Sequence, residues 1–319
     1  MCYIISGIAV DSNIELPELT RSKGKESNLR FTFSPENIIN KNDLDWFSDL
    51  TLPNGRTWLS VARSTIGYVL SFPDIAYFVI DNINDHILCY PASNIPINAV
   101  RYLFINQVIP LYLSNKGKIV LHSSAVSING KAVVFTGLSA TGKSTLASVF
   151  CREGHKLITD DYLLINKHDN QFYAVPSYAG IKLSDISKSC IFNSGIIPTH
   201  ENTLFVEKHW LDISKNNMYL TYENVRISRI YLLQDSNNDI DNIDLKICNA
   251  SVKELFTNLI DSMFLLDFND LDMVKNNFNN CADLLNSNLI KKLEYKKSFE
   301  ILDNLIETII KDVEINNES

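Results

Sequence analysis

Residues 1–92 show short runs of alternating apolar and polar positions, a pattern typical of strands separated by turns. Turn-forming residues, mainly Pro, Asn, Gly and Ser, fill the intervals between the runs. The pattern therefore predicts a small β-rich amino-terminal domain over residues 1–92. Its predicted strands are Tyr3–Val10, Leu29–Phe33, Thr57–Ala62, Gly67–Phe72 and Ala76–Ile80.

After Pro96 the apolar positions recur at helical spacing, and Pro110 predicts a kink in the resulting helix. Residues 93–319 are predicted to form a second domain of mixed α/β class, in which residues after Arg229 make one more strand and are otherwise helical. The apolar faces of these last helices are predicted at Leu255, Leu259, Met263 and Leu266, and at Phe299, Leu302, Leu305 or Ile306, Ile309 and Val313.

A β-branched hairpin leads into the most informative segment. Residues 118–128 and 131–137 flank Asn129-Gly130, the dipeptide that best supports a two-residue type I′ turn. The second strand runs into Gly137-Leu-Ser-Ala-Thr-Gly-Lys-Ser144, a complete match to G-x4-G-K-[ST], and a helical pattern follows. This order of strand, glycine loop and helix aims backbone amides and a positive helix end at phosphates. The alternative is a structural turn that contains glycine and binds no ligand.

Residues 137–145, which we call the phosphate loop, are predicted to hold ATP. Lys143 would reach the β- and γ-phosphates, and the hydroxyl of Ser144 would bind Mg²⁺. The residues predicted to contact the nucleotide are Gly137, Ser139, Ala140, Thr141, Gly142, Lys143, Ser144 and Thr145.

Two adjacent carboxylates follow the next predicted strand, His155–Thr159, after a helix that is expected to end near Arg152. Asp160 and Asp161 repel each other unless a cation or a proton compensates their charge, which predicts a Mg²⁺ site. One aspartate would bind the metal and the other would accept a hydroxyl proton, and the sequence does not distinguish them. The alternative is a solvated turn or a helix N-cap.

Other polar residues are weaker candidates. His122, in the strand before the phosphate loop, is a candidate catalytic residue, and its alternative is a structural histidine. Further cations are candidate phosphate ligands or ordinary exposed side chains: Lys182, Lys208, Arg226 and Arg229.

Charge and composition exclude several classes. The net charge is −8, and the acidic excess lies after Tyr231, so neither nucleic acid nor an anionic membrane surface is an expected partner. The apolar runs are too short to span a bilayer, and no signal peptide is recognised, so a cytoplasmic protein is expected. The six cysteines are scattered singly, which predicts free thiols and no zinc site.

Three segments, in this order, carry a resemblance to a known family: residues 121–126 (LHSSAV), 134–147 (VFTGLSATGKSTLA) and 152–162 (REGHKLITDDY). They resemble the catalytic domain of HPr kinase/phosphorylase, where a histidine precedes the nucleotide loop and an aspartate pair closes the following strand. The resemblance implies a phosphate-loop kinase fold related to phosphoenolpyruvate carboxykinases, with ATP, Mg²⁺ and a serine hydroxyl as acceptor.

Within that superfamily, the chain is more similar to kinase-like proteins of lasso and other ribosomal peptide clusters. The start at residues 3–19 and the segment 176–185 (PSYAGIKLSD) carry this likeness. Ala140-Thr141 departs from the Gly-hydrophobic pair of the HPr kinase loop, Ser follows His122 where that family has Gly, and no counterpart of the phosphorolysis segment is recognised. We therefore carry over neither the reverse activity nor HPr as substrate.

The sequence thus predicts an ATP- and Mg²⁺-dependent kinase that phosphorylates serine on a peptide or small protein, such as the precursor of a modified peptide. The amino-terminal domain would recruit that peptide, and a homo-oligomer is left open. Two alternatives remain: a nucleotide-binding switch or scaffold without phosphotransfer, and a small-molecule kinase.

Overall fold

The computed structural model describes the 319-residue chain except for residues 23, 25, 37–38, 53, 179, 193–199, 202–207, 213–219, 236–244 and 316–319, with backbone alone at 200–201, 208–210, 212 and 235. The chain divides into two units, Met1–Lys116 and Gly117–Ser319. The division lies after Lys116, whereas the sequence predicted it between residues 92 and 93. The two boundaries differ because the helical segment after Pro96 belongs to the same unit as the strands that precede it.

The first unit is a mixed sheet followed by that helical segment. Its strand order is β3-β1-β2-β4-β9-β8-β7-β6-β5, in which β2–β4 and β4–β9 are parallel pairs. Its elements are β1 (Cys2–Ile5), β2 (Ile8–Ser12), β3 (Thr20–Arg21), β4 (Leu29–Phe33), a 3-10 turn (Lys41–Asp43), β5 (Asp45–Thr51), β6 (Thr57–Ser64), β7 (Gly67–Phe72), β8 (Ala76–Asp81), β9 (His86–Pro91), α1 (Ile97–Leu103), a π-helical turn (Phe104–Val108) and α2 (Ile109–Asn115).

Two details of this unit refine the sequence prediction. Ser6 and Gly7 have φ of 46° and 75°, so the predicted strand Tyr3–Val10 is a tight hairpin of two strands. The predicted helix begins at Ile97, and its π-helical turn lies directly before α2, in which Pro110 is the second residue. A wider turn accommodates the proline ring, which would otherwise meet the carbonyl four residues earlier.

The second unit has a mixed sheet with helices on both faces. Its elements are β10 (Ile119–Leu121), β11 (Ser123–Ile128), β12 (Lys131–Thr136), α3 (Lys143–Arg152), β13 (Lys156–Thr159), β14 (Leu163–His168), β15 (Gln171–Val175), β16 (Gly180–Ser184), α4 (Asp185–Phe192), β17 (His200–Glu201), β18 (Lys208–Asp212), β19 (Val225–Asp235), β20 (Leu245–Cys248), α5 (Val252–Ser262), α6 (Leu271–Asn286), β21 (Ile290–Tyr295), a 3-10 turn (Phe299–Ile301) and α7 (Leu302–Ile315).

The main sheet runs β10-β14-β15-β19-β12-β11-β13, and β21 pairs with β19 and β20. The pairs β12–β19 and β19–β21 are parallel. One face packs against α3, α4 and α7, and the other packs against α5 and α6. A three-stranded sheet, β16-β18-β17, lies beside it. The mixed α/β class predicted for this part of the chain is confirmed.

The structure confirms the predicted hairpin turn and the predicted end of the helix after the phosphate loop. Asn129 and Gly130 have φ of 50° and 77°, as a type I′ turn requires, and join antiparallel β11 and β12. The helix after the phosphate loop ends at Arg152, and Gly154 follows with φ of 90°. The predicted strand 118–128, however, breaks at His122, because β10 pairs with β14 while β11 pairs with β12 and β13.

The carboxyl-terminal part was predicted as helical after one strand, and this was incomplete. Two further strands, β20 and β21, extend the sheet, with β21 buried beside β19. The helix α5 ends at Ser262, so Met263 and Leu266 lie outside it, and Met263 instead bridges to Leu121. Apolar residues in a short buried strand and in a helix look alike by periodicity, which explains these differences. Among the described residues, no helix is both long and apolar enough to cross a membrane.

Candidate active site

The phosphate loop connects the buried end of β12 to the first turn of α3. Its backbone turns sharply, with left-handed φ at Ala140 (62°) and positive φ at Gly137 (138°) and Gly142 (107°). The residue before α3 is Gly142, so the amides of the first helical turn are not capped by a side chain. Unpaired amides at a helix amino terminus favour an anion.

At two positions of the motif, both the positive φ and the close approach of neighbouring atoms require glycine. A Cβ on Gly137 would lie 2.9 Å from the carbonyl oxygen of Leu233 in β19. A Cβ on Gly142 would lie 2.2 Å from the hydroxyl of Tyr295 in β21. The loop is therefore packed tightly against the carboxyl ends of two parallel strands, and side chains at these two positions would displace it.

Lys143 lies across the loop with its side chain buried. Its Nζ donates to the carbonyl oxygens of Gly137 at 2.8 Å and Leu138 at 2.9 Å. The ammonium is thus held within the turn of the loop, where it adds a positive charge to the amides at the start of α3.

Asp160 follows the end of β13 and is completely buried. Its Oδ1 accepts a hydrogen bond from Ser124 Oγ at 2.5 Å, and its Oδ2 accepts the backbone N–H of Lys182 at 3.0 Å. The side chain of Ser144 interacts with this carboxylate closely enough to lower its pKa. The carboxylate after β13 and the hydroxyl at the start of α3 therefore lie near each other.

Asp161 has a different environment. It adopts φ of 70° and forms an ion pair with Lys182, whose side chain is 8% exposed against 20% for Asp161. The hydroxyl of Tyr178 lies 3.4 Å from the same carboxylate oxygen. The two adjacent aspartates therefore differ: Asp160 is enclosed by hydrogen-bond donors, and Asp161 is neutralised by an ammonium and reached by solvent.

Burial raises the pKa of Asp160, and the charge of Asp161 raises it further. Hydrogen bonds from Ser124, Lys182 and Ser144 oppose this shift in pKa. A cation beside the carboxylate would stabilise its charged form in the same way, because opposite charges at contact range favour ionisation.

His122 occupies the break between β10 and β11, and its ring is accessible from the cleft. Its backbone N–H donates to Ser262 at 2.6 Å, and its ring bonds to the backbone of Asp161. Desolvation is the main cause that lowers the pKa of this imidazole to about 4, and the positive charge of Lys143 acts in the same direction. The negative charge of Asp161 opposes this shift in pKa. His122 is therefore neutral at physiological pH.

These elements enclose a polar cavity of about 350 Å³, which we call the central cavity. Most predicted site residues line it, but Gly137 and Thr141 do not, and they contribute to the turn of the loop instead. The lining residues are His122, Ser124, Ser139, Ala140, Gly142, Lys143, Ser144, Thr145, Asp160, Asp161, Lys182, Leu183, Ser184 and Ser187.

A second cavity of about 280 Å³ shares five lining residues with the first: Ala140, Gly142, Thr145, Ser184 and Ser187. We call it the apolar cavity, because its walls include Leu146, Leu302 and the exposed side chains of Ile186 and Phe299. Tyr295, Lys297 and Ser298 also line it. The two cavities therefore adjoin beside the phosphate loop, and the aspartate pair lines only the central one.

Two of the other candidate cations, Arg226 and Arg229, do not line the central cavity. Arg226 is exposed, and it pairs in register with Tyr173 in β15. Arg229 is buried, and its Nε donates to Asp312 of α7 at 2.8 Å. The side chain of Lys208 lies outside the described part of the structure. Among the three candidates whose side chains the structure describes, Lys182 is the one that lines the central cavity.

The donor set fits magnesium better than zinc. Ser144 and Asp160 supply oxygen atoms, which are the ligands that Mg²⁺ prefers, and such sites take their remaining ligands from water and phosphate. Within the described residues, no group of three or more His, Cys, Asp or Glu side chains could hold a metal ion by itself. All six cysteines are free, as predicted.

Sequence reasoning missed Ser124, Ser184, Ser187, Tyr178 and Tyr295. Ser124 was inside a quoted segment, but alternation in a strand does not show which of two adjacent serines faces a carboxylate. Tyr295 lies 154 residues beyond its partner Thr141, and no local pattern connects the two.

Comparison with known proteins gives a local match. No family model matches the chain. The HPr kinase/phosphorylase of Mycoplasmopsis pulmonis (strain UAB CTIP) is 28% identical over 111 residues, which is 34% of this chain and 34% of that protein. The match thus spans about a third of the relative's length. The solved structure of the Hpr(Ser) kinase/phosphatase from Coxiella burnetii aligns with 63% of this chain and 99% of its own, at 14% identity and a TM-score of 0.34.

The fold and the site define a mixed α/β protein with a strand–glycine loop–helix motif and an adjacent carboxylate pair. The resemblance to HPr kinase/phosphorylase inferred from the sequence is confirmed by the match over about a third of the chain. The closer relation to proteins of lasso peptide clusters stays a prediction.

Proposed function

We propose that the chain is an ATP- and Mg²⁺-dependent kinase that transfers the γ-phosphoryl group to a serine hydroxyl of a peptide or small protein. The placement of Ser144, Asp160 and Lys143 around one cavity carries this proposal. A loop amide cradle needs no acidic partner to bind an anion, whereas phosphoryl transfer from a metal-bound nucleotide does.

In this proposal, the phosphate loop binds the nucleotide phosphates through its amides and Lys143. The ammonium of Lys143 exchanges its present acceptors, the carbonyls of Gly137 and Leu138, for phosphate oxygens. Ser144 and Asp160 would hold Mg²⁺, which when bound supplies positive charge to the β- and γ-phosphoryl oxygens. The residues thereby stabilise charge that develops during transfer.

The surroundings of the two aspartates suggest separate roles. Asp160 is completely buried beside Ser144 and is enclosed by hydrogen-bond donors, which suits a metal ligand better than a proton acceptor. Asp161 is partly exposed, and it lies where an acceptor can approach from solvent. We therefore assign proton acceptance to Asp161, with neutral His122 and Lys182 orienting the acceptor and the transferring group.

The apolar cavity suits the nucleoside. Neither Asp160 nor Asp161 lines it, and Phe299 and Ile186 offer exposed apolar surfaces to a flat ring. A nucleotide with its phosphates in the loop would then place its base between these side chains.

The direct test is transfer of label from γ-labelled ATP, in the presence of Mg²⁺, to a library of serine-containing peptides. We expect labelled peptide with the wild-type chain, no label when serine is replaced by alanine, and a rate at least about 100-fold lower for Lys143→Met, because one electrostatic contact to the transferring group is lost. Lys246→Met, at an exposed position in β20, is the matched control and should leave the rate unchanged.

Three results would contradict or redirect the proposal. Nucleotide binding without transfer to any peptide favours the switch or scaffold alternative. Transfer to small alcohols but not to peptides favours a small-molecule kinase. Unchanged transfer by Lys143→Met would remove the phosphate loop from the reaction altogether.

A further inference from the structure

Tyr295 is the last residue of β21, and its side chain is 4% exposed. Its hydroxyl donates a hydrogen bond to the carbonyl oxygen of Thr141 at 2.5 Å. This contact joins the phosphate loop to a strand that lies 154 residues further along the chain. We propose that Tyr295 is a positioning residue that holds the Thr141–Gly142 peptide of the phosphate loop in its anion-accepting orientation.

The geometry of a peptide bond supplies the reason. The carbonyl and the N–H of one trans peptide point in opposite directions. Because the Thr141 carbonyl is directed at Tyr295, the Gly142 N–H is directed to the opposite side of the loop. Lys143 and Ser144, which follow Gly142, line only the central cavity, whereas Tyr295 lines only the apolar one and Gly142 lies where the two adjoin. The anchored peptide therefore offers its donor, and not its acceptor, to an anion in the central cavity.

Without the anchor, this peptide has freedom to turn over. Gly142 has φ of 107°, a torsion that glycine adopts and leaves easily. A reversed peptide would direct the partial negative charge of the Thr141 carbonyl into the phosphate site. Such a loop would repel the anion that it is shaped to bind.

The tyrosine and the glycine also fit each other sterically. A Cβ at position 142 would lie 2.2 Å from the Tyr295 hydroxyl, so the hydroxyl occupies the space that a side chain would need. The glycine of the motif is thus what allows Tyr295 to approach the carbonyl of Thr141.

Other loop carbonyls are bonded from within the segment. Lys143 donates to the carbonyls of Gly137 and Leu138, and the Thr141 hydroxyl donates to Leu138 at 2.8 Å. Under the proposed function, Lys143 turns to phosphate when a nucleotide binds, so its bonds to the loop are temporary. The Tyr295 bond remains available in both states, and for this reason it is suited to positioning.

The test compares two buried tyrosines. Tyr295→Phe removes the bond to Thr141, and Tyr231→Phe removes a bond of 2.6 Å to Asp312 in the same hydrophobic cluster, away from both cavities. We expect Tyr295→Phe to weaken Mg-ADP binding and to raise KM for ATP about tenfold, the effect of an unpaired buried acceptor, with a smaller change in kcat. Tyr231→Phe should lower the unfolding temperature similarly while leaving the ADP dissociation constant unchanged.

This inference rests on the proposed function, and the outcomes separate the two. If wild-type protein binds no Mg-ADP, both are overturned. If wild-type and Tyr295→Phe bind it equally, or if both phenylalanine variants weaken it equally, this inference alone is overturned.

A measurement on the wild-type chain covers the case in which Tyr295→Phe does not fold. The amide NMR resonances of the phosphate loop are followed while inorganic phosphate is added. We expect the Gly142 amide to shift downfield together with those of Lys143 and Ser144. Shifts at Lys143 and Ser144 with an unperturbed Gly142 would overturn the proposal.

Discussion

Lys182 binds both members of the aspartate pair, because its ammonium forms an ion pair with Asp161 while its backbone N–H donates to Asp160 at 3.0 Å. One residue of β16 therefore compensates two adjacent carboxylates at the end of β13. Like charges at this range repel strongly when buried, so the metal-free site depends on this cation. A divalent cation held by Asp160 would add further positive charge beside this ion pair.

Lys182→Met is expected to destabilise the metal-free protein by about 2–3 kcal/mol, since it leaves a mostly buried carboxylate without its partner. Added Mg²⁺ should restore more stability to this variant than to the wild type, because the ammonium no longer offsets the charge of the aspartate pair. Thermal unfolding with and without Mg²⁺ measures both effects. Lys311→Met, which removes an exposed pair with Glu307, is the control and should change neither. An equal response of wild type and Lys182→Met to Mg²⁺ would contradict this role of the ammonium.

Asp160→Asn and Asp161→Asn are expected to differ in kind. Asp160→Asn should raise the Mg²⁺ concentration needed for half-maximal activity, because the variant loses a charged metal ligand beside Ser144. Asp161→Asn should lower kcat by about 100-fold or more at saturating Mg²⁺, since it loses the proton acceptor.

Kinetics at varied Mg²⁺ concentration separate the two effects on activity. Circular dichroism checks that both nearly isosteric variants keep the fold. The reverse pattern, a metal effect at Asp161 and a kcat effect at Asp160, would exchange the two roles.

His122 is expected to stay neutral from pH 5 to 8, because its pKa is lowered to about 4. A lowered histidine pKa means that the unfolded chain binds the proton more readily than the folded one. The contribution of His122 to stability therefore rises with pH between about 4 and the ordinary value of 6.5, and falls as the pH is lowered through that window.

His122→Asn should flatten the pH dependence of the urea midpoint over that range. An NMR titration of the imidazole gives an independent value. A titration midpoint near 6.5 would show that the ring is not held neutral by its surroundings.

Phe299→Ala is expected to raise KM for ATP about three- to tenfold while leaving the affinity for inorganic phosphate unchanged, because the variant loses stacking against the base and keeps the phosphate loop. Phe278→Ala removes an exposed aromatic side chain from α6 and serves as control. Parallel titrations with ATP and with phosphate make the comparison. Equal weakening of both ligands would place the effect in the phosphate loop and not in the apolar cavity.

Much of the candidate site was predictable because it is contiguous in sequence. The turn at Asn129-Gly130, the glycine loop up to Lys143 and the aspartate pair depend on torsions and hydrogen bonds between near neighbours. These preferences act before any tertiary contact forms. The strands β20 and β21 were not predicted, since a short apolar run is compatible with either a strand or a helix until its partner is known.

The amino-acid sequence alone determined the hairpin, the phosphate loop and the helix that follows it, because each is encoded within a few consecutive residues. Only the tertiary structure decided that Asp160 faces Ser144 while Asp161 faces Lys182, and that Tyr295 reaches the loop. Those contacts join strands far apart in the chain, and their geometry follows from sheet pairing and burial. The pattern of a single segment does not record which distant segment will pack against it.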